Sequence, residues 1–463
     1  MSFPRYPEYK ESNIKFIGAV PAHWTVERLK HCAEVFPSNV DKKSVEGQIS
    51  IKLCNYTDVY YNEAIKGNLD FMPATATEYQ IARFQVQQDD VVFTKDSESP
   101  DDIGVAAYVP NKLVGVLYGY HLSIARPRPS ATGKFLKRFF DSEETKAYFA
   151  VTANGLTRVG LGQYATDNVP IALPPTAEQT QIARFLDHET AKIDTLIHEQ
   201  KRLIELLKEK RQAVISYAVT KGLNPDVPMK DSGVEWLGEV PAHWTCKSYR
   251  YATAIYRGKF GHRPRNDPSL YDGHYAFIQT GDIARAEKYV ESYKQTLNDE
   301  GIKVSQKFPA GTLVMAIAAN IGDTAILGFE AYAPDSVVGF KPREDVDLEF
   351  LKYSLRASIQ ELEKTSTQSA QANLNIDRVS GITACFPPLS EQKRIVEYVD
   401  TLLEKYADLQ KQAEKSIEIM EERRSALISA AVTGKIDVRN WEPPADESAF
   451  DEEFLHSDLE QVS

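Results

Sequence analysis

From Glu178 onward apolar residues recur at steps of four and three: Ile182, Leu186, Ile193, Leu196, Leu203, Leu207, Val214 and Tyr217, with Glu189, Gln200 and Lys210 as polar interruptions. The pattern returns from Glu391 as Ile395, Val399, Leu402, Tyr406, Leu409, Ala413, Met420, Leu427 and Ala430, interrupted by Ser416 and Arg423. This spacing predicts two long helices, each with a heptad seam narrower than the face of an ordinary globular helix. At 1.5 Å per residue, about 42 residues make a rod of roughly 63 Å. Such a rod is unstable alone in water. Its simplest partner is the other copy: Lys221 to Pro225 ends the first helix, and the second can return antiparallel. The alternative is that each helix packs on its own globular body.

The two helices are copies in sequence as well as in pattern. Pro174 to Thr220 overlays Pro387 to Thr433 without a gap, and 16 of the 43 positions from Glu178 onward are identical. A second repeat precedes each body: Lys10 to Thr25 returns as Lys230 to Thr245 with nine of 16 residues identical, ending in both cases on Val-Pro-Ala-His-Trp-Thr. Each half is therefore an opening motif, a body and a long helix. The prolines before each helix disfavour helical backbone, so helix starts are expected at Glu178 and Glu391, with Ser390 as a cap and the glutamates suiting the positive end of the dipole.

The bodies share little sequence. Each holds strand-like runs, Asp90 to Thr94 and Gly104 to Val109 in the first, Thr312 to Ile317 and Thr324 to Phe329 in the second, with helical pieces at Phe135 to Phe149 and Leu348 to Glu363. The expected fold is an α/β (α+β) tandem repeat: two globular domains separated by two long helices packed as an antiparallel coiled coil, with pseudo-two-fold symmetry. The expected boundaries are 1–173 and 224–386 for the bodies, 174–223 and 387–437 for the helices, and 438–463 for a tail expected to be disordered.

With 463 residues there is room for about three domains and a sizeable core. No apolar signal core follows the N-terminus and no run of about 18 apolar residues occurs, so the reading is cytoplasmic with no membrane contact. The four cysteines, Cys32, Cys54, Cys246 and Cys385, lie far apart in sequence, which fits a reduced setting and gives no zinc pattern. A net charge of −12 argues at first against nucleic acid, but Glu442 to Ser463 contains eight acids and no Lys or Arg, so the remainder carries only −4. A local basic face is compatible with that balance.

Catalytic signatures are missing. Val159-Gly160-Leu161-Gly162 lacks the third glycine of a nucleotide loop, and there is no GxxxxGK[ST], HExxH, GxSxG or kinase set. The Pro-Pro pairs follow Leu173 and Phe386, not the Asn or Asp of an adenine-methylating site. His23 and His243, beside Trp24 and Trp244, read as packing residues, since neither has a nucleophile nearby.

Binding chemistry remains. The segment from Lys247 to Arg265 holds six basic residues, no acid and four aromatics. Its cations, Lys247, Arg250, Arg257, Lys259, Arg263 and Arg265, could neutralise phosphates; a solvated basic face is the plain alternative. Lys95 and Asn320 follow the central strands of the two bodies, and Lys donates to guanine while Asn pairs both adenine edges, so both suit major-groove readout. Thr157-Arg158 and Gln371 to Asn373, including Gln371 and Asn373 themselves, lie about 15 residues before each Pro-Pro. Taken singly, each such residue is more often part of a turn or a cap.

Together the Lys230 to Trp244 motif, the Pro-Pro-x-x-Glu-Gln helix starts and the Ala-Val-Thr endings at Thr220 and Thr433 resemble the repeated frame of type I restriction–modification specificity subunits, from Lys10 to about Asp437. Thr176-Ala177 departs from the family's usual Leu-Ser/Ala before Glu-Gln. The resemblance implies two target-recognition domains reading a split sequence of double-stranded DNA. It also implies partners: two methyltransferase subunits using S-adenosylmethionine on adenine N6, and restriction subunits that translocate with ATP. On this reading the chain binds no cofactor itself; S-adenosylmethionine, ATP and Mg belong to the partners. Two unlike readers on like frames imply an asymmetric target, whereas a symmetric dimer reads a palindrome. The outer helix faces, with Lys201, Arg202, Glu205, Lys208, Glu421, Glu422 and Arg424, are the expected docking surface for the methyltransferase subunits. Two rivals are a recognition part with methyltransferase or nuclease activity of its own, and a coiled-coil spacer joining two protein-binding domains.

Overall fold

A computed structural model describes residues 3–318, 322–365 and 376–444 of the chain. It divides into two compact units, Met1–Gln200 with Glu414–Ser463, and Lys201–Ala413. The long helices run Thr176–Lys221 and Leu389–Val432, so each gives one half to each unit. Both start two residues earlier than expected, which places Ser390 inside the first turn instead of at the cap.

Each unit holds the same strand order around its central strand. In the first, Ala33–Pro37, Leu122–Pro127, Val91–Thr94 and Ala106–Tyr108 form an antiparallel sheet. In the second, Thr253–Arg257, Val337–Pro342, Leu313–Ala316 and Thr324–Leu327 repeat it, and Tyr289–Val290 adds a parallel edge. The central strands Val91–Thr94 and Leu313–Ala316 are buried at every residue, as uninterrupted apolar runs require. Helices Gly133–Asp141 and Glu143–Thr152 cover the first sheet, and Leu348–Thr365 covers the second. The break at Ser142 is itself capped: its hydroxyl accepts from Thr145 N.

The two repeated motifs meet in a clasp. In the first unit the fully buried Trp24 donates Nε1–H to Glu178 Oε1 at 3.0 Å, His23 Nε2 lies 2.8 Å from Oε2, and the Tyr6 hydroxyl donates to the same carboxylate. Gln179, also fully buried, donates to the carbonyls of Pro174 and Ser130 and accepts from Thr132 N. In the second unit Trp244 donates to Glu391 Oε1 at 3.2 Å, His243 Nε2 lies 2.7 Å from Oε2, and Gln392 bonds Pro387, Asp345 and Asp347 N in the same three ways. His23 and His243 are thus hydrogen-bonding groups on a carboxylate more than packing residues, and their side chains stay half-exposed.

The end of the opposite long helix reaches the same tryptophan. Gly434, at φ +74°, lies so close to Pro21 and Trp24 that a Cβ would fall 2.3 Å from Pro21 Cδ; Gly222, at φ +76°, faces Trp244 Cζ2. Only glycine takes that backbone and that approach without strain. In the first unit Ile182, Phe185 and Leu186 of the first helix share a core with Leu427, Ile428, Ala431 and Val432 of the second. In the second unit Ile215, Ala218 and Val219 share one with Ile395, Val396 and Val399.

The expected seam is only partly the buried face. Ile182, Leu186, Ile193 and Leu207 are buried as expected, but Leu196, Leu203 and Tyr217 are 54%, 39% and 57% exposed, and Ile197 and Ile215 are buried instead. On the second helix Ile395, Val399, Ala413 and Leu427 are buried, whereas Leu409 is 46% exposed. An α-helix drifts by about 20° per heptad from a 3.5-residue repeat, and each helix end broadens its apolar face to meet a body.

An ion network binds the first body to helix surface. Lys137, buried, lies 2.7 Å from both Glu63 and Asp141; Arg138 reaches Glu63, Asp141 and Asp187; Arg424 reaches Glu63 and Asp194 at 2.9 Å. Burial works to raise the Glu63 pKa, but Lys137, Arg138 and Arg424 together outweigh it and hold the carboxyl down at about 2. Arg424, expected on an outer docking face, is engaged inward by these carboxylates. In the second unit Cys246 and Cys385 face each other on the paired strands Thr245–Ser248 and Thr383–Phe386 and form a disulfide, against the expectation of a reduced setting drawn from their distance in sequence. Cys32 and Cys54 are buried thiols, and burial pushes Cys32 up to about 12.

Removing the clasp carboxylate leaves a buried indole N–H without an acceptor. We expect Glu178→Ala to destabilise the first unit by about 1–3 kcal/mol. Urea unfolding followed by tryptophan fluorescence checks this; an unchanged midpoint would mean the clasp contributes nothing to stability.

Candidate nucleic-acid interface

In the first unit the interface candidate forms where the central strand ends. Strand Val91–Thr94 is anchored at its start by Asp90, fully buried, which accepts from Arg126 Nε and Nη2 at 2.8 Å each and from the Tyr118 hydroxyl at 3.0 Å. Burial and the charge of Asp90 push the Tyr118 hydroxyl pKa well up, so it remains a donor. At the other end Lys95 N donates to His121 O, and Leu161 N donates to Lys95 O. Asp96–Ser97 then pairs with Val159–Gly160, which brings the Thr157-Arg158 turn alongside.

Three of the residues singled out in sequence therefore gather in one place. Thr157 and Arg158 are exposed, and Arg158 Nη2 lies 3.9 Å from Asp96 Oδ1, a loose pair. Lys95 is half-buried, and among the described residues its ammonium has no hydrogen-bond or ion-pair partner. Burial lowers its pKa, against a weaker upward pull from Asp96. A partly dehydrated cation with free donors gains from meeting a base acceptor or a phosphate.

Sequence reasoning missed three neighbours. His121 Nδ1 lies 2.8 Å from Asp96 Oδ1. Tyr56 stacks on Tyr60 with centroids 5.5 Å apart, and its hydroxyl pKa is raised by burial, with Ser97, Asp102, Asp96 and Arg158 as surroundings. The aromatic run Tyr56 to Tyr61 was the available signal; nothing in periodicity marks His121 or Asp96.

In the second unit the basic run does not form one surface. Lys247 lies on a frame strand, 2.5 Å from Asp345 Oδ2 and 5.4 Å over the Phe386 ring. Arg250 is exposed near Gly381 in the same frame. Arg257 and Lys259 are exposed at the end of strand Thr253–Arg257. Arg263 and Arg265 share Asp335, at 3.7 and 2.6 Å. Among the described residues Arg250, Arg257 and Lys259 are the cations of this run without a carboxylate partner. Arg265 also lines a cavity of about 330 Å³ with Phe260, Tyr271, Phe277, Gln279 and Gln295. Asn320, Gln371 and Asn373 lie outside the described residues.

Among the described residues no His/Cys/Asp/Glu group could hold a metal ion, and no helix is long and apolar enough to cross a membrane.

Comparison with known proteins bears on the whole chain. The family model described as the type I restriction modification DNA specificity domain matches residues 21–206 and 259–419. The chain is 23% identical over 451 residues to the type I restriction enzyme MjaVIII specificity subunit of Methanocaldococcus jannaschii, covering 93% of this chain and 98% of that protein. It is 20% identical over 371 residues to the EcoKI specificity subunit of Escherichia coli, covering 76% of each. Among solved structures it is similar to the HsdS subunit from Thermoanaerobacter tengcongensis, with TM-score 0.51, 17% identity and coverage of 90% of this chain and 98% of that one. A chain from work on complex assembly and conformational transition of the type I R-M system gives TM-score 0.65 at 17% identity, covering 89% and 98%.

Asp90→Asn keeps the shape of the anchor but removes the charge that Arg126 meets. Breaking a buried pair costs about 3–5 kcal/mol, so the first unit should unfold at clearly lower denaturant. Amide exchange in Val91 to Thr94 reports it directly, and protection equal to wild type would show that the strand does not depend on this anchor.

Proposed function

The chain belongs to the type I restriction–modification specificity family, and on that premise we propose how its two units serve a split DNA target. It is the non-catalytic, sequence-specific subunit of a type I restriction–modification system, a partner of DNA and of the methyltransferase and restriction subunits. In our reading, residues 1–173 read one half-site and 224–386 the other, the helices 174–223 and 387–437 pack antiparallel as a coiled coil that sets their distance, and 438–463 is a tail. Two methyltransferase subunits bring S-adenosylmethionine, and restriction subunits bring ATP and Mg, in the cytoplasm.

The observation that carries this reading is the pairing at each tryptophan. Trp24 meets the start of the first helix through Glu178 and the end of the second at Gly434; Trp244 meets the start of the second through Glu391 and the end of the first at Gly222. Helices that exchange ends in this way favour antiparallel packing. The charged groups at the sheet ends differ meanwhile: Lys95, Arg158 and the His121–Asp96 pair lie beside the end of the central strand in one unit, and Arg257, Lys259 and the Asp335-bound arginines follow the edge strand Thr253–Arg257 in the other. Unlike loops on like frames support an asymmetric target.

Two measurements test it. Single-molecule sequencing of host DNA with and without the gene should show N6-methyladenine gained at one asymmetric split motif; a palindromic motif, or none, would overturn the assignment of one half-site to each unit. Inserting four residues into each long helix, about 6 Å, should lengthen the preferred spacer by about two base pairs, and an unchanged spacer would remove the helices from the role of ruler.

A further inference from the structure

The ion network of the first unit has a counterpart in the second with its signs altered. Gln179 accepts from Thr132 N and Gln392 from Asp347 N, so the covering helices correspond at a step of 215 residues. Lys137 then corresponds to Lys352, Arg138 to Tyr353 and Asp141 to Arg356. The long-helix repeat pairs Asp187 with Asp400 and Arg424 with Arg211. The residue preceding the parallel edge bridge is Glu63 in one unit and Lys288 in the other.

Two of the four carboxylates of the first network, Glu63 and Asp141, are thus replaced by cations. Lys288 is absorbed by Glu349 and Asp400, at 2.8 and 2.9 Å, and Tyr353 also donates to Asp400. Among the described residues Lys352, 6% exposed, has one hydrogen-bond partner, the Glu287 carbonyl at 3.0 Å. Among the described residues no carboxylate lies within ion-pair distance of Lys352, Arg356 or Arg211. Burial, then the charges of Arg356 and Lys288, push the Lys352 ammonium down to about 8 against weaker pulls from Asp400 and Glu349; the guanidinium of Arg356, a surface residue, is lowered by partial desolvation and by Arg211 against weaker pulls from Tyr353 and Asp323. The positions carry a repulsion that an anion would relieve.

Lys352 and Arg356 line a cavity of about 230 Å³ whose polar wall includes Glu287, Gly322, Asp323 and Thr324. Of this lining Glu287, Asp323 and Arg356 are exposed, whereas Lys352 is buried. Gly322 N donates to Ala316 O and Ala316 N to Asp323 O, so this wall lies at the end of the central strand. A guanidinium fork beside an ammonium suits a phosphate group, which offers several acceptor oxygens at once. We propose that the Lys352–Arg356 cavity is a phosphate-binding site, and that it takes a backbone phosphate of the DNA half-site read by the second unit. This rests on the DNA-reading assignment of the second unit.

The test uses the full chain assembled with its methyltransferase subunits, on target and non-target duplexes across a salt series. Arg356→Gln should weaken both duplexes alike and reduce the slope of log affinity against log salt by about one, with the methylated motif unchanged; R356K should restore the slope. Arg356 is exposed, so a melting temperature equal to wild type controls for folding. As a second arm, inorganic phosphate should raise the melting temperature of the wild type but not of R356D, which restores the carboxylate found at the equivalent position of the first unit. Wild-type DNA binding with an unaltered slope in R356Q overturns the proposal and leaves the DNA reading intact. Phosphate stabilisation without the slope change identifies free phosphate as the ligand and overturns the DNA source. Weakened assembly with the methyltransferase subunits at unaltered slope identifies a partner carboxylate and overturns it as well. Absence of any wild-type DNA binding is the separate failure of the functional reading.

Discussion

A buried tryptophan N–H needs an acceptor, and each unit supplies one from the first turn of a long helix. Leaving such a donor unpaired costs more than the bond itself contributes, so the requirement constrains geometry as much as it stabilises. Glu178 and Glu391 fix where each helix begins relative to its opening motif, and the adjoining Gln179 and Gln392 fix the body through backbone atoms of Thr132 and Asp347. Helix direction, body position and frame are set within a few residues. The end glycines, packed against Pro21 and Trp244, complete the same constraint from the opposite helix.

Within that frame the units differ where charge is concentrated. The first closes its basic residues into a balanced network around Glu63 and Asp141, which stiffens the contact between body and helix surface. The second keeps Lys352 and Arg356 without matching carboxylates among the described residues. The frame tolerates both because Gln392 and Glu391 hold their bonds independently of that network. Charge can therefore vary at positions that are structurally equivalent.

The frame was legible in sequence because its bonds need particular residues: a Trp, a Glu and a Gln cannot exchange roles, so both copies keep them. Central strands were legible for a different reason, since a strand buried on both faces must be apolar throughout. Partners were not legible. Nothing local tells that Glu178 serves an indole 154 residues earlier, that Cys246 and Cys385 share a register, or that Arg424 turns inward to Glu63. The seam was misread at Leu196 and Leu203 because a 3.5-residue template ignores the slow rotation of a real helix. Lys95 and Arg158 are brought together by the Asp96–Ser97 pairing, which no sequence pattern marks, whereas the basic run from Lys247 divides because its two ends belong to frame and body.

Each body leaves and rejoins its frame on adjacent antiparallel strands, Thr25–Arg28 beside Pro170–Leu173 in one unit and Thr245–Ser248 beside Thr383–Phe386 in the other. At matching positions the first pair sets Val26 opposite Ala172 and the second sets Cys246 opposite Cys385. A body so attached is a cassette with one short hinge line. Under the proposed assignment of one half-site to each body, a gene encoding such a protein could trade the interior of either cassette with a relative, keep only the two border strands, and inherit a new specificity in a single recombination event.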